Sequence, residues 1–398
     1  MSHIVFFNIP AYGHTNPTIG VVKELVSRGH VVRYYSYEKF REKIEAAGAE
    51  FIACDAYDNQ LHLTPEDGAR IGTDLSFSIK VLVRTALALD DMILHDMQQN
   101  SPDCIVGDSM AVWGKWIAEK LQIPFISSTT TFAFNRYSAK IMPKSPGQLQ
   151  QLIKASILNK SEVNLLRKRG YPVKGVLSMI QNDNATNTIV YTSKEFQPCA
   201  ETFSEKFHFV GSVLPHESIS KESKNKKVVY ISMGTVNHKF PEFYQNCIEA
   251  FRYTSYRVII SAGEQTDLTG LYNLPQHIEV YSYVDQLQVL QYADVFLTHC
   301  GMNSVSESLY YHVPMILFPQ TDEQSGVAKR TFDLGAGVYL EENSAESILH
   351  AAETVINHAQ YRYNAEKIGK TLKQCGGAKA AANVILHVIE EHTSETHN

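Results

Sequence analysis

The sequence predicts an α/β protein of two Rossmann-like domains facing each other across a cleft. Short β-rich runs alternate with helical patterns through the first 55 residues, the same alternation restarts after residue 227, and a polar stretch separates the two series. A chain of 398 residues agrees with this, since ~150 residues per domain gives between two and three units.

Taken in order, Ile4 to Ile9 is a first strand whose apolar run is broken by Asn8 and Pro10. With no Lys or Arg before it and no small-residue cleavage site after it, it reads as mature strand and not as a secretory leader. Helical patterns at about 17–28 and 38–47 stop at Gly29 and Gly48, and alternate with strands Val31 to Ser36 and Phe51 to Cys54. Asp103 to Val106 is a strand, Val112 to Leu121 a helix and Pro124 to Ser128 another strand; 56–100 and 132–185 read as irregular insertions. Pro215 to Lys227 reads PHESISKESKNKK, with Ile219 its one strong core residue, and is assigned as a linker. Beyond it come Val228 to Met233, a helix near 241–253, strands at Arg257 to Ser261, His277 to Tyr281 and Val295 to Thr298, a helix from 303, Met315 to Phe318, a helix from about 323, and Val338 to Leu340. After Gly376-Gly377 a last helix, Ala378 to Glu391, carries the stripe Val384, Ile385, Val388 and Ile389, and His392 to Asn398 is expected to fray. The expected divisions are therefore 1–214, a linker at 215–227, 228–377, and a C-terminal helix with tail at 378–398.

Composition excludes several classes. With 44% hydrophobic and 20% charged residues the chain is not disordered, and 36 Lys+Arg against 42 Asp+Glu leaves no basic excess for a nucleic-acid partner. The six cysteines, at 54, 104, 199, 247, 300 and 375, form no CxxC pair and read as reduced thiols. No run of ~18 apolar residues spans a membrane. The expectation is a cytoplasmic protein, monomeric by default.

Neither domain has GxGxxG after its first strand, which removes the best support for a nicotinamide or flavin enzyme. The first strand leads instead into Pro10-Ala11-Tyr12-Gly13-His14-Thr15-Asn16-Pro17, a turn that puts His14 at the sheet edge where open α/β folds bind ligands. Asp108, ending Ile105-Val106-Gly107-Asp108, reaches the same edge and could orient the imidazole. Each has a plainer reading, a turn histidine and a helix N-cap. In the second half, Ser232, Gly234 and Thr235 come after a strand, and Thr298-His299-Cys300-Gly301-Met302-Asn303-Ser304 leads into a helix whose free N–H groups suit phosphate oxygens. Glu307, three residues after Ser304, could bind a ligand or complete a capping box.

Together with Tyr283-Val284-Asp285-Gln286 and Pro319-Gln320-Thr321-Asp322-Glu323-Gln324, these motifs resemble the inverting UDP-sugar glycosyltransferases of the two-Rossmann (GT-B) class, closest to the bacterial macrolide and flavonoid branch. The resemblance implies His14 as catalytic base supported by Asp108. It further implies that His299, Asn303 and Ser304, at the helix start after Gly301, contact the diphosphate and Glu307 the ribose. Val284 and Gln286 would meet the uracil, Glu323 and Gln324 the sugar hydroxyls, and Ser232, Gly234 and Thr235 the phosphate or sugar. Three positions depart from the pattern: Tyr283 stands for a usual Trp, Asp285 for Pro and Cys300 for Gly. A thiol at a helix start could also be reactive, the alternative reading of Cys300.

The expected function is transfer of a sugar, glucose first, from UDP to a hydroxyl of a small apolar acceptor, phenolic, macrolide or steroid. The UDP-sugar is a co-substrate; no cofactor and no metal are expected, since no DxD-type pair stands beside the donor motif. Phe132, Phe134, Met142 and Met179 are the candidate acceptor contacts, with plain packing as the alternative. An epimerase of the same architecture, or a nucleotide-sugar-binding regulator without turnover, are the rival functions; a phosphorylase is disfavoured because no pyridoxal phosphate site is visible.

Overall fold

The computed structural model describes residues 1–58, 64, 67, 70, 74–138, 148–176, 184–214, 226–234, 241–263, 266 and 274–396. Its first sheet has seven strands in the order β3-β2-β1-β4-β5-β6-β7: β1 (His3–Phe7), β2 (Val31–Ser36), β3 (Glu50–Ala53), β4 (Cys104–Asp108), β5 (Phe125–Thr129), β6 (Asn187–Val190) and β7 (Phe207–Phe209). The second has six in the order β10-β9-β8-β11-β12-β13: β8 (Val228–Ser232), β9 (Arg257–Ser261), β10 (Ile278–Tyr281), β11 (Val295–Thr298), β12 (Met315–Leu317) and β13 (Gly337–Tyr339). Every pairing among the described residues is parallel. Parallel sheets are covered on both faces, which is why β4 and β8 are buried along their whole length. One core cluster lies on each face of each sheet.

The helices are α1 (Tyr12–Ser27), α2 (Arg41–Glu45), α3 (Asp55–Asp58), α4 (Leu75–Gln99), α5 (Val112–Leu121), α6 (Gln148–Leu158) and α7 (Lys160–Lys168) in the first half. The second half has α8 (Pro241–Phe251), α9 (Gln286–Leu290), α10 (Met302–Tyr310), α11 (Asp322–Asp333), α12 (Ala345–Asn357), α13 (Ala359–Gln374) and α14 (Gly377–Thr396). Strand order reverses direction between β1 and β4 and again between β8 and β11, so each sheet has a switch point where its strand-end loops part and leave a crevice.

Several local expectations change. α1 starts at Tyr12, so His14 lies in its first turn and not in a turn before a helix. The segment 56–100, expected to be irregular, contains the 25-residue α4. Asp74 caps it by accepting from Phe77 N at 3.1 Å, and Ile79, Val83, Ala86, Leu89, Ile93 and Met97, three or four residues apart, form its buried stripe. α6 and α7 likewise occupy part of 132–185, β6 and β7 extend the sheet, and α12 and α13 fill 345–374. The last helix continues to Thr396 where fraying was expected. It returns to the first domain, where Ala381, Ala382, Ile385, Val388 and Ile389 join the core beneath α1. Of the expected linker, residues 215–225 lie outside the described residues.

The two halves are tied together by short polar contacts. Arg330 donates through Nη2 to Glu195 O at 2.6 Å and through Nε to Phe196 O at 2.9 Å, and Gly377 N donates to Val210 O at 2.7 Å. Among the described residues no helix is long and apolar enough to cross a membrane.

α10 and α13 pack closely because Gly369 has no side chain: a Cβ there would lie 2.1 Å from Leu309 O. Gly369→Ala should therefore destabilise the protein although alanine favours the helix by ~1 kcal/mol. A backbone oxygen cannot step aside, and overpacking of this kind costs ~1–3 kcal/mol or more. Urea unfolding should show a lowered midpoint; an unchanged or raised midpoint would mean the helices separate freely.

Candidate active site

The first sheet delivers three groups to one point at its switch. His14 Nδ1 lies 2.6 Å from Asp108 Oδ2 at the end of β4 and 3.2 Å from Thr130 Oγ1 just past β5. Asp108 is buried, and its second oxygen accepts from Met110 N at 2.7 Å. The His14 carbonyl accepts from Asn8 Nδ2 at 2.8 Å, which fixes the turn from the β1 side. With Nδ1–H directed at the carboxylate, Nε2 keeps its lone pair for a proton. Asp108 is thus a partner of His14, whereas α5, the helix beyond it, has Ala111 as its N-cap. Thr130 was not read from the sequence, although the strand before it, predicted at Pro124 to Ser128, points to the same edge.

Burial disfavours the His14 imidazolium, but the charge and hydrogen bond of Asp108, with Glu323 across the cleft, outweigh it and raise its pKa above 6.5. Glu323, in the first turn of α11, has an exposed side chain yet lies between the two domains, whose bulk raises its carboxyl above the ordinary range against the opposing pull of His14. Gln324 is half-buried beside it, its side-chain carbonyl accepting from Gln320 N at 2.8 Å.

The second sheet delivers its groups at the matching switch point. Ser232 ends β8, and Gly234 takes φ +78°. The His299 ring after β11 is pressed between two glycines: a Cβ on Gly234 or on Gly301 would come within 2.6 Å of it. Burial lowers the His299 pKa to about 4, partly offset by the Ser232 backbone, so the imidazole is neutral at pH 7, and Nδ1 is buried without a hydrogen-bond partner among the described residues. Gly301 is the N-cap of α10, which puts Asn303 in its first turn with the free N–H groups.

That cap position also decides the role of Glu307. Ser304 lies inside α10 and no side chain caps the helix, so a Ser304–Glu307 capping box is excluded. Instead Gln286 Nε2 donates to Glu307 Oε2 at 2.6 Å and to Ser304 Oγ at 3.2 Å, while Tyr230 OH donates to Gln286 Oε1 at 3.3 Å. Burial raises Glu307 to about 7, with Gln286 opposing, Asp285 adding to the rise and Lys43 of the first domain opposing. Glu307 and Asn303 line a cavity of about 590 Å³ between the domains, with Asn16 and Lys43 on its other wall, a volume suited to a ligand.

The departures noted in the sequence have physical accounts. Asp285 caps α9, accepting from Leu287 N at 3.1 Å and Gln288 N at 3.4 Å. Tyr283 is 69% exposed, an open aromatic face next to the half-buried Val284. Cys300 keeps the left-handed backbone of a glycine, φ +67°, and turns its side chain into the core, where Sγ meets Thr298 O at 3.4 Å. Burial pushes its thiol up, which rules out the reactive-thiol reading.

Of the acceptor candidates, Phe132 takes the packing alternative: it is 4% exposed and packs at a tilt against Phe196, ring centroids 5.3 Å apart. Phe134 is 40% exposed. Met142, Met179 and Thr235 lie outside the described residues. Among the described residues no three His, Cys, Asp or Glu side chains are grouped so as to hold a metal ion.

Comparison with known proteins matches residues 213–374 to the family described as UDP-glucoronosyl and UDP-glucosyl transferase. The UDP-glucosyltransferase YdhE of Bacillus subtilis is 33% identical over 386 residues, 94% of this chain and 95% of that protein. The NDP-glycosyltransferase YjiC of the same organism is 33% identical, covering 96% and 95%. The crystal structure of CalG4, the calicheamicin glycosyltransferase, superposes with a TM-score of 0.79 at 28% identity, covering 98% of this chain and 99% of that one.

The histidine's environment gives a direct test. In the folded protein the His14 C2 proton should titrate by NMR above pH 6.5, and Asp108→Asn should bring the midpoint below it, because burial then dominates. Since the folded pKa is the raised one, the stability His14 contributes is complete below pH 6.5 and is lost as pH rises through the folded value. A midpoint indifferent to Asp108→Asn would separate the two groups.

Proposed function

Because the chain belongs to the UDP-glucoronosyl and UDP-glucosyl transferase family and is a natural-product type of glycosyltransferase using nucleotide sugars, we propose that it moves glucose from UDP-glucose to a hydroxyl of a small apolar acceptor, with inversion at the anomeric carbon and without a divalent ion. The observation that carries the proposal is the 2.6 Å pairing of His14 Nδ1 with buried Asp108, at the switch point that faces the start of α10. In the reaction the acceptor oxygen bonds to the anomeric carbon as its proton passes to His14 Nε2. The bond from that carbon to the diphosphate breaks, and UDP leaves with the electron pair. Asp108 accepts from Nδ1–H throughout and stabilises the imidazolium that forms.

On the donor side, α10 N–H groups with His299, Asn303 and Ser304 take the charge that grows on the diphosphate. Because His299 is neutral, its share comes from an N–H dipole and not from a cation. Glu307 takes the ribose hydroxyls, Tyr283, Val284 and Gln286 the uracil, and Glu323 and Gln324 the sugar, with Ser232 and Gly234 beside the phosphates. Phe134, exposed four residues beyond Thr130, is the acceptor contact that its position supports. A relative named as a calicheamicin glycosyltransferase supports an acceptor of natural-product size.

A series of acceptors of falling pKa, assayed in excess EDTA, tests the base. The wild type should turn over in the chelator. His14→Ala should lose ~10² to 10⁴-fold in kcat/KM on an aliphatic alcohol. It should lose much less on an acidic phenol, which ionises partly without help. Equal losses across the series would mean that His14 positions and does not take the proton.

Glu307 offers a second check through pH. Its carboxylate accepts from ribose hydroxyls and its protonated form accepts less well, so UDP affinity should rise with pH through about 7. Glu307→Gln should remove the rise and weaken UDP by ~1–3 kcal/mol. Calorimetry showing the same pH dependence in the variant would take Glu307 out of the ribose site.

A further inference from the structure

Asn303 makes a contact that its expected place on the diphosphate does not account for. Its side-chain Nδ2 donates across the cleft to the carbonyl of Gly13, at 3.0 Å, one residue before His14. Gly13 lies in the first turn of α1, and in a regular helix its carbonyl would accept from the N–H four residues on. That residue is Pro17, which has no N–H. The proline inside α1 therefore leaves one helix carbonyl without its intrahelical donor, on the turn that carries His14, and the opposite domain supplies the donor. The approach is close but unstrained: a Cβ on Gly13 would sit 3.9 Å from Asn303 Nδ2.

We propose that Pro17, the Gly13 carbonyl and Asn303 form a cross-cleft catch that positions His14 against the nucleotide helix. Asn303 is suited to this because its amide carries two N–H bonds. One holds Gly13 O, and the other remains for a phosphate oxygen at the start of α10. The nucleotide helix and the turn bearing His14 are thereby joined through a single side chain. Pro17 is a positioning residue: it lines the cavity next to Asn16 and acts by keeping the carbonyl available. This rests on the transferase reading for its consequence in turnover, and on geometry alone for the catch itself.

Pro17→Ala restores an N–H at position 17, which competes for Gly13 O within α1. It should lower kcat about three- to tenfold, the scale of one neutral hydrogen bond, and leave UDP affinity by calorimetry within about twofold. Asn303→Ala should lower kcat further and weaken UDP as well, since it also removes the phosphate contact. The double variant should match Asn303→Ala alone, because a freed carbonyl has nothing to meet once the amide is gone. Hydrogen exchange of peptides covering residues 11–20, at saturating UDP, reads the catch without any turnover: UDP should slow exchange in the wild type about three- to tenfold more than in either variant. If the wild type transfers no sugar, the transferase reading fails while the exchange difference persists. Multiplying losses in the double variant, or wild-type kcat and exchange in Pro17→Ala, would overturn the catch.

Discussion

Parallel pairing is the constraint on which the rest of the molecule depends. When every strand of a sheet runs the same way, every strand-end loop emerges on one edge, and the crevice at the switch point is the one place where two such loops part. Each domain places its chemistry there: His14 after β1 and Asp108 at the end of β4 in the first, Ser232 at the end of β8 and His299 after β11 in the second. Residues 94 positions apart then meet at 2.6 Å because β1 and β4 are hydrogen-bonded neighbours, with Phe7 paired to Gly107. A two-domain chain built this way needs only to turn the two edges toward each other to assemble a site for two substrates.

Holding the edges in that relation falls to backbone as much as to side chains. Gly211, at φ +75°, passes so close to α13 that a Cβ would lie 2.0 Å from Leu372 O, and Gly377 N closes onto Val210 O where the chain crosses back. α14 then seals the first domain's core after the second is complete. The first domain's core is therefore completed by α14, a helix that comes after the second domain in the chain.

The sequence made the two sheets legible because buried parallel strands are dense in β-branched and aromatic residues, as in Ile4 to Phe7 and Val228 to Ser232. It also made the two strand-end histidines legible, since each comes after such a run and before a helical pattern. Helix α4 escaped because its buried residues alternate with Leu, Met and Ala that are only partly covered, which blurs the stripe over seven turns. Phe132 stays open in the sequence for a related reason: an aromatic beyond a strand end can face the cleft or the core, and only packing against Phe196 decides it. The pairing of Gln286 with Glu307 was invisible for want of any local pattern, since it joins the start of α9 to the middle of α10.

The site's charges also form a coherent set. Burial acts on every group, yet its outcome differs with the neighbours: His299, with only a backbone contact to oppose it, falls to about 4, Glu307 rises to about 7, and His14, held by Asp108, moves the other way from His299. The cavity beside the start of α10 also carries charged side chains, Lys43, Lys23 and Glu24, so the pull on an anion there is not left to the helix alone. The N–H groups at the start of α10 add a fixed positive potential that needs no counterion. Across the cleft His14 pairs with Asp108, which in the proposed reaction would stabilise the proton that His14 takes. In the proposed reaction, separating the anion site from a charge-assisted base would let one cleft stabilise both the departing negative charge and the arriving proton, without the two cancelling each other.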